Sequence, residues 1–360
     1  MKKIARWRYF AATCMYAFSM TLSPLANAAI QDEEQDLEDW QTSEIEKLVE
    51  VVSGTIRGNI VHTDNPFTVA PDFLKGGDNL TYVPYRVTLD PSQLSGSSLV
   101  GYVFVIPHTD DVVDGDGNLI DPELELDDRN LPEATFEDLY FIDLSDAPDG
   151  EPIQLSRAFT AGGGVFDVYV AISESLGEDA DDGDREDVVV MMSKTQVEVP
   201  DFWNGELQTS SILMAAAIEP LASPLSEEEQ AENPYTLGTT RITPKTDENY
   251  TQNDELSLIM LVYNAGSTRD EKPDLTIEYN FHKRTADGQE EYFNQTSPQA
   301  FNDQTLPPGF DMSAGHQIVA GQSVPLGSFP VADYRLEILI TDNEGGSNLT
   351  QNVNFSILDE

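Results

Sequence analysis

The residues with the clearest potential for chemistry lie in one acidic loop, residues 111–128, with the sequence DVVDGDGNLIDPELELDD. A calcium loop of the EF-hand type needs side-chain oxygens at alternate positions, a glycine for its sharp turn and a bidentate glutamate at its end. Parts of this pattern occur in two registers. We therefore predict calcium as the one possible cofactor, with these candidate ligands: Asp111, Asp114, Asp116, Asn118, Glu123 and Glu125.

Neither register of this loop satisfies the whole pattern. A loop that starts at Val112 lacks its first ligand, although Asp111 adjoins it, and a loop that starts at Asp114 has Leu119 where glycine is required. The Asp-Gly-Asp-Gly run is equally typical of a hairpin turn, which needs no metal. Two hypotheses remain open: a calcium loop, and an acidic turn that water alone satisfies.

A second acidic loop, residues 177–190, carries Asp179, Asp181, Asp182 and Asp184 before a strand-like segment. Such a loop predicts either a weak calcium site of the kind that extracellular modules use, or a solvated tip that charge repulsion extends.

Patterns typical of catalysis are scarce in the sequence. The four histidines lie outside any H-E-x-x-H zinc pattern, no G-x-S-x-G elbow occurs, and the glycines of TAGGGVFD at 160–167 lead into a strand. We predict that the protein is not an enzyme. A hydrolase that uses a pair of carboxylates is the alternative, since 65 acidic residues make pairs abundant. Trp203, Tyr250 and Tyr292 fit either a sugar site or a sandwich core.

Residues 1–28 predict an export signal. The segment opens with Lys2, Lys3, Arg6 and Arg8, continues with an apolar run and closes on Ala26-Asn27-Ala28. Polar residues and Pro24 interrupt the run, which disfavours a membrane anchor. The single cysteine, Cys14, lies within this signal, so a mature chain would have no disulfide or thiolate ligand. We predict a periplasmic or extracellular location.

The charge of the chain excludes two classes of partner. The 360 residues include 65 acids and 19 bases, a formal net charge of −46. Nucleic acid and anionic membrane surfaces would repel such a protein. At about 1 M salt the Debye length falls to about 3 Å. The composition therefore favours a saline habitat, with a loosely ordered acidic segment as the alternative.

The pattern of apolar residues predicts an all-β fold: two consecutive antiparallel β-sandwich (immunoglobulin-like) domains after the signal and a short acidic helix. Residues 29–53 have the spacing of an amphipathic helix, packed against the first domain or bound to a partner. Residues 54–203 and 204–360 alternate apolar and polar residues between turns rich in Gly, Asp, Pro and Asn. Long helices do not separate the strands, which disfavours a parallel sheet.

Three finer predictions concern the domains. Residues 199–211 are interpreted as a hinge, and SSILMAAAI at 210–218 as either helix or strand. A weak internal repeat links IQLSRAFTAGGGVFDVYVAISE with VPLGSFPVADYRLEILITD, which predicts one sandwich topology present twice.

The second half of the chain resembles a known class of domain. Segments such as ELSLIMLVYN, KPDLTIEYNFHKR and VPLGSFPVADYRLEILITD look like accessory β-sandwich domains of secreted bacterial proteins of the von Willebrand factor A-related and GWxTD types. The resemblance covers residues 200–360 and, more loosely, 80–200. It lacks a GWxTD string and a D-x-S-x-S metal-adhesion motif, since DLSDA at 143–147 has no second serine. It implies a fold and an envelope setting, and no functional residue.

Together these patterns predict an exported, non-catalytic structural or protein-interaction module of the cell envelope. Its partner would be another envelope or extracellular protein, bound through exposed edge strands. A calcium-stiffened adhesion or carbohydrate-binding protein is the alternative. The sequence leaves the oligomeric state open.

Overall fold

The computed structural model describes residues 37–58, 67–94, 96–108, 131–145, 152–267, 272–285, 287–312 and 315–359. The elements of the first half are α1 (Asp39–Ile56), β1 (Phe67–Pro71), β2 (Leu74–Lys75), β3 (Thr81–Leu89), β4 (Ser98–Pro107), β5 (Phe136–Asp143), β6 (Ile153–Ala161), β7 (Gly164–Glu174), α2 (Asp182–Asp187) and β8 (Met191–Val199). Those of the second half are β9 (Gln208–Thr209), β10 (Leu213–Pro220), α3 (Glu227–Glu232), β11 (Thr236–Leu237), β12 (Thr240–Pro244), β13 (Asn249–Tyr250), β14 (Glu255–Tyr263), β15 (Leu275–Arg284), β16 (Glu290–Gln295), β17 (Gln299–Phe301), β18 (Ile318–Pro325), β19 (Ala332–Asp342) and β20 (Asn348–Ile357).

The first half of the chain forms a sandwich of two antiparallel sheets. In one sheet β3 pairs with β1 and β2 on one side and with β6 on the other, and the second sheet has the order β5-β4-β7-β8. Alternate residues of each strand point inward, as a two-layer sandwich requires. The core between the sheets includes Val83, Tyr85, Val87, Leu155 and Phe159 from one layer and Val103, Val105, Val168, Val170 and Ile172 from the other.

The second half repeats this pairing scheme. Strand β14 pairs with β10 and β18 in one sheet, and the other sheet has the order β13-β20-β19-β15-β16, in which β20-β19-β15-β16 corresponds to β8-β7-β4-β5. Its core joins Leu256, Leu258 and Met260 to Tyr279, Phe281, Leu336, Ile338 and Ile340. The predicted all-β, immunoglobulin-like sandwich class is confirmed. The internal repeat is confirmed as well. Strands β6 and β7 have the same positions in the pairing scheme of the first sandwich as β18 and β19 have in that of the second.

A tyrosine corner marks the second sandwich as immunoglobulin-like on local geometry. The hydroxyl of Tyr334, at the start of β19, donates a hydrogen bond to the carbonyl of Pro330, 2.7 Å away. Its ring stacks on Phe355 of β20 and meets Phe329 edge-on. Such a corner fixes the crossover between the two sheets of these sandwiches.

The helix α1 covers the outer face of one sheet of the first sandwich. Ile45, Leu48 and Val52 pack against Tyr102 and Tyr169, which point away from the sandwich core. Strand β4 is buried on both faces and is apolar along nearly its whole length. A strand with one solvent-exposed face would instead alternate apolar and polar residues. The helix continues to Ile56, past the predicted boundary at residue 53.

The ambiguous segment SSILMAAAI forms strand β10, because pairing with β12 and β14 outweighs the helix propensity of its alanines. Within the described part of the chain, no helix is both long enough and apolar enough to span a bilayer.

Candidate interaction site at the junction of the two sandwiches

The predicted calcium ligands of residues 111–128 lie outside the described residues, in the connection between β4 and β5. Among the residues that the structure does describe, no three His, Cys, Asp or Glu side chains are grouped so as to hold a metal ion.

The second acidic loop, residues 177–190, packs against α1 through an ion pair and hydrogen bonds. The Arg185 guanidinium, buried within this loop, forms an ion pair with Glu44 of the helix and donates to the carbonyl of Ala180. The ammonium of Lys47 donates to the Arg185 carbonyl from the same helix face. The loop is thus a docked segment that secures the helix, rather than the freely extended tip that its acids predicted.

The histidines are distributed among separate local contacts. Nδ1 of His108 lies 3.1 Å from Asp167, which also forms an ion pair with Lys194. The His316 ring accepts a hydrogen bond from the amide of Asp311. His282 lies on the outer face of β15, 3.7 Å from a Glu337 oxygen, and His62 falls outside the described residues.

The two sandwiches meet through an apolar cluster that we call the junction cluster. The outward face of β14 contributes Ile259, Leu261 and Tyr263, and the first sandwich contributes Leu74. Phe202, from the segment predicted as a hinge, is buried between them with its ring 4.9 Å from that of Tyr263. The connecting segment is therefore packed into the contact and does not act as a free hinge.

Hydrogen bonds across the junction fix the relative position of the sandwiches. The amide of Phe73 donates to the Ser211 hydroxyl, and the Ser211 amide donates to the Phe73 carbonyl, both at 2.9 Å. The Lys75 amide donates to the Tyr263 hydroxyl at 3.1 Å, and the Lys75 ammonium lies over the Trp203 ring. Reciprocal bonds of this kind restrain rotation as well as separation.

A charged group lies at the centre of the junction. Asp72 accepts a hydrogen bond from the Tyr235 hydroxyl at 2.8 Å and lies 3.5 Å from the Arg86 guanidinium. Burial raises the pKa of the Asp72 carboxyl above its usual range, and the contacts with Tyr235 and Arg86 partly oppose this shift. Arg86 also donates to the Lys245 carbonyl, so this side chain joins both sandwiches.

A cleft of about 670 Å³ opens beside the junction cluster. One wall is formed by Asp72, Phe73 and Ser211, and the opposite wall by the side of β20, including Leu349 and Val353. The half-buried apolar side chains along it lie among amides, hydroxyls and carboxylates, the mixed lining that protein binding sites use.

The β20 wall of this cleft is an open sheet edge. Strand β20 pairs with β19 along its length, but on its other side, among the residues that the structure describes, only Ser356 and Ile357 have a strand partner, the short parallel strand β13. The amide of Ser356 donates to the backbone carbonyl of Glu248 on that side. Because backbone groups alternate along a strand, the N–H and C=O groups of Thr350 and Asn352 point to the same open side.

No ionisable residue occurs in β20, whose sequence is NLTQNVNFSI, although the protein carries a net charge of −46. Natural edge strands are commonly protected by charged residues, proline or bulges. The edge strand β16 has that protection in Glu290 and Glu291. The structure therefore leaves β20 able to pair, and the sequence signal for this was the uncharged run itself.

The three aromatic residues considered for a sugar site fall in different environments. Tyr250 is 3% exposed and contributes to the second core, whereas Trp203 and Tyr292 are 43% and 59% exposed. Trp203 donates from Nε1 to the Leu80 carbonyl at the junction. Tyr292 lies on the outer face of β16 beside His282. Of the two alternatives, a sandwich core therefore applies to Tyr250, and it does not apply to Trp203 or Tyr292.

No protein-family model matches the chain, and no curated protein matches it either. Among solved structures, an immunoglobulin-like protein from Pseudomonas aeruginosa is 12% identical over 41% of this chain and 97% of its own, with a TM-score of 0.20. The C-terminal domain of the AgI/II polypeptide BspA from Streptococcus agalactiae is 9% identical over 80% of this chain and 100% of its own, with a TM-score of 0.21. Trypsin-activated alpha-2-macroglobulin from Escherichia coli is 13% identical over 83% of this chain but 17% of its own, with a TM-score of 0.21. Likenesses this weak carry no argument about function, and the fold stands on the strand pairing itself.

Proposed function

We propose that this protein is an exported, non-catalytic interaction module of the cell envelope that binds an extended segment of another protein along β20. The observation that carries the proposal is the open, uncharged edge of β20, which forms one wall of the cleft beside a fixed junction. Adding a strand to such an edge satisfies backbone groups that would otherwise face water, and side-chain pockets alongside supply selectivity.

The cleft suits an extended peptide better than a compact ligand. Phe73, Met214 and Val353 offer apolar surface along the edge. Asp72 and Glu248 lie in the lining, and no Lys or Arg is among the described residues that form it. A neutral or basic segment with alternating apolar residues is the partner that this chemistry favours. A second copy of the chain would bring its own charge of −46 against the site.

Export is the second part of the proposal, and it is supported by the basic, apolar and small-residue order of residues 1–28. The envelope setting implied by the resemblance to secreted sandwich domains agrees with it. Mass spectrometry of the protein from a periplasmic extract tests export directly. A mature chain beginning at Ala29 is expected, and an intact Met1 in the cytoplasmic fraction would contradict it.

Site-directed cross-linking in cells tests the β20 edge. The single cysteine lies in the predicted signal, so a thiol-linked photoreactive probe at Asn348→Cys would mark one place on the mature chain. We expect a heavier adduct that is lost when Thr350→Pro is added. Proline removes an N–H that faces the open side, and it leaves the pairing with β19 intact.

The matched control places the probe at Val189→Cys in the first sandwich, where the native side chain is 77% exposed. An adduct of equal yield at both positions, or one indifferent to Thr350→Pro, would refute binding along β20. An adduct at twice the mass of the chain would identify a second copy as the occupant and would contradict the proposed partner.

Calcium binding by residues 111–128 is a separate part of the proposal. The loop connects two paired strands, β4 and β5, so a bound ion would stiffen the edge of the first sandwich. A melting temperature that rises with calcium, and not with sodium chloride of matched ionic strength, is the expected result. Retention of that rise in Asp114→Asn/Asp116→Asn would exclude this loop as the site.

A further inference from the structure

The outer face of the second sandwich carries a row of polar and aromatic side chains that crosses four neighbouring strands of one sheet. Register places Tyr292 of β16 opposite His282 of β15, His282 opposite Arg335 of β19, and Arg335 opposite Asn354 of β20. With neighbouring strands about 4.8 Å apart, the row extends over roughly 14 Å. Its members share one face because they pair directly across the sheet.

The charged side chains of this row are held in place by their neighbours. The Arg335 guanidinium donates to Glu290 at 2.8 Å, to Glu337 at 3.1 Å and to Asn352 at 2.6 Å. Arg284 bridges Glu290 and Asn354 from the adjacent position. Two arginines thus face two glutamates in one network. This small area has little net charge, although the protein as a whole is strongly acidic.

We propose that this row binds a neutral polysaccharide. The side chain of Tyr292 is 59% exposed, so its ring offers an apolar face for the C–H side of a sugar ring. The amide groups of Asn352 and Asn354 and the fixed guanidinium of Arg335 offer donors and acceptors for sugar hydroxyls. Because the network already orders these side chains, little conformational entropy is lost on binding.

The local charge separates this ligand from other candidates. A polyanion would meet the acidic surroundings, and a polycation would compete with Arg284 and Arg335 for their glutamates. An added peptide strand would use the edge of β20, whereas a glycan would lie across the face of the sheet. The two proposed sites therefore differ in how the ligand would lie, although Asn352 and Asn354 of β20 belong to both.

Affinity electrophoresis of the full chain in gels that contain dextran, mannan, xylan, galactomannan or laminarin tests the proposal. We expect at least one of these neutral polysaccharides to retard the protein, with binding weakened at least tenfold in Tyr292→Ala. Tyr292→Trp should retain binding because it keeps an exposed aromatic face. Retardation should persist in 0.5 M NaCl, since the ligand carries no charge.

Trp203→Ala is the matched control, because Trp203 is another exposed aromatic residue that lies outside the row. It should leave the retardation unchanged. The proposal is overturned if none of the five polysaccharides retards the parent protein, or if Tyr292→Ala is retarded as strongly as the parent. Thermal melting of each variant confirms that altered mobility does not come from unfolding. A parent that is retarded while the probe at Asn348→Cys gives no adduct would separate the two proposals.

Discussion

At the scale of single residues, the packing of Gly101 and Tyr140 sets a sharp steric constraint. Gly101 of β4 pairs with Tyr140 of β5, whose ring lies across the position that a Cβ atom of residue 101 would occupy. The Arg157 guanidinium also packs on that ring, 4.7 Å from its centroid. The glycine therefore makes room for the aromatic ring of Tyr140.

We expect Gly101→Ala to lower the free energy of unfolding by about 1–3 kcal/mol, the usual cost of overpacking. Urea denaturation measures the change. Gly162→Ala is the control, because no atom of the described residues beyond its chain neighbours lies within 4 Å of an added methyl group there. Equal losses for the two variants would show that the ring of Tyr140 is not the obstacle.

Two aspartates of strand β5 should respond to pH in opposite directions. Burial raises the pKa of Asp138 above its usual range, and the hydrogen bond from the Leu139 amide and the attraction of Arg157 only partly oppose it. Asp143 is exposed, and hydrogen bonds from Ser145 lower its pKa. The ionised form is thus disfavoured by folding at Asp138 and favoured at Asp143.

The stability of Asp138→Asn relative to the parent should be greatest near pH 7. It should decline as the pH falls through the raised pKa of the folded state, and it should level off below the ordinary aspartate pKa of about 3.9, where the parent carboxyl is protonated in both states. The Asp143→Asn variant should have a lower free energy of unfolding than the parent near pH 7. This difference should vanish as the pH falls through the lowered pKa of Asp143 in the folded state. Urea unfolding at a series of pH values measures both, and matching trends would contradict the assignment.

At the scale of elements, α1 contributes to the first sandwich as a third layer. Leu48 is fully buried among Tyr102, Tyr169 and neighbouring side chains of the sheet. We expect Leu48→Ala to destabilise the protein by about 2–5 kcal/mol, as in other buried leucine truncations. Glu46→Ala, on the exposed side of the same helix, should change the stability little. Chemical denaturation followed by circular dichroism would reveal whether the helix is required.

Strands were predictable from the sequence where one face is wet, as in LTIEYNFHKR of β15, because alternation reports burial directly. The junction was not predictable, since Phe202 lies in a segment rich in turn residues. Its burial depends on residues of strand β14, which lie more than fifty positions later in the chain. The row from Tyr292 to Asn354 was equally hidden, because only register brings those residues together. Of the residues in this row, only Tyr292 is a candidate for sugar contact on the sequence alone.

At the scale of the whole molecule, the net charge of −46 opposes compaction. The Debye length shrinks from about 10 Å at 0.1 M salt to about 3 Å at 1 M, so added salt should relieve this repulsion. We expect the urea midpoint to rise markedly between 0.05 and 1 M NaCl. A midpoint indifferent to salt would show that the acids do not limit stability.

The junction should make the two sandwiches unfold together. Phe202 and its neighbours join the outer face of β14 to the first sandwich, and separation would expose that apolar surface. We expect one calorimetric transition for the parent and two for Phe202→Ala. Two transitions in the parent itself would show that the contact is too weak to couple the halves.

The repeated pairing scheme has a consequence for biosynthesis. Chains with two copies of one topology risk misassembly, in which a strand of one copy inserts into the other before folding is complete. The interiors of the two halves differ, however: the second contains the stacked pair Tyr334 and Phe355, and the first relies on a glycine, Gly101, beneath Tyr140. An exchanged strand would therefore meet clashes or voids, and divergence of the cores protects the nascent polypeptide from such errors.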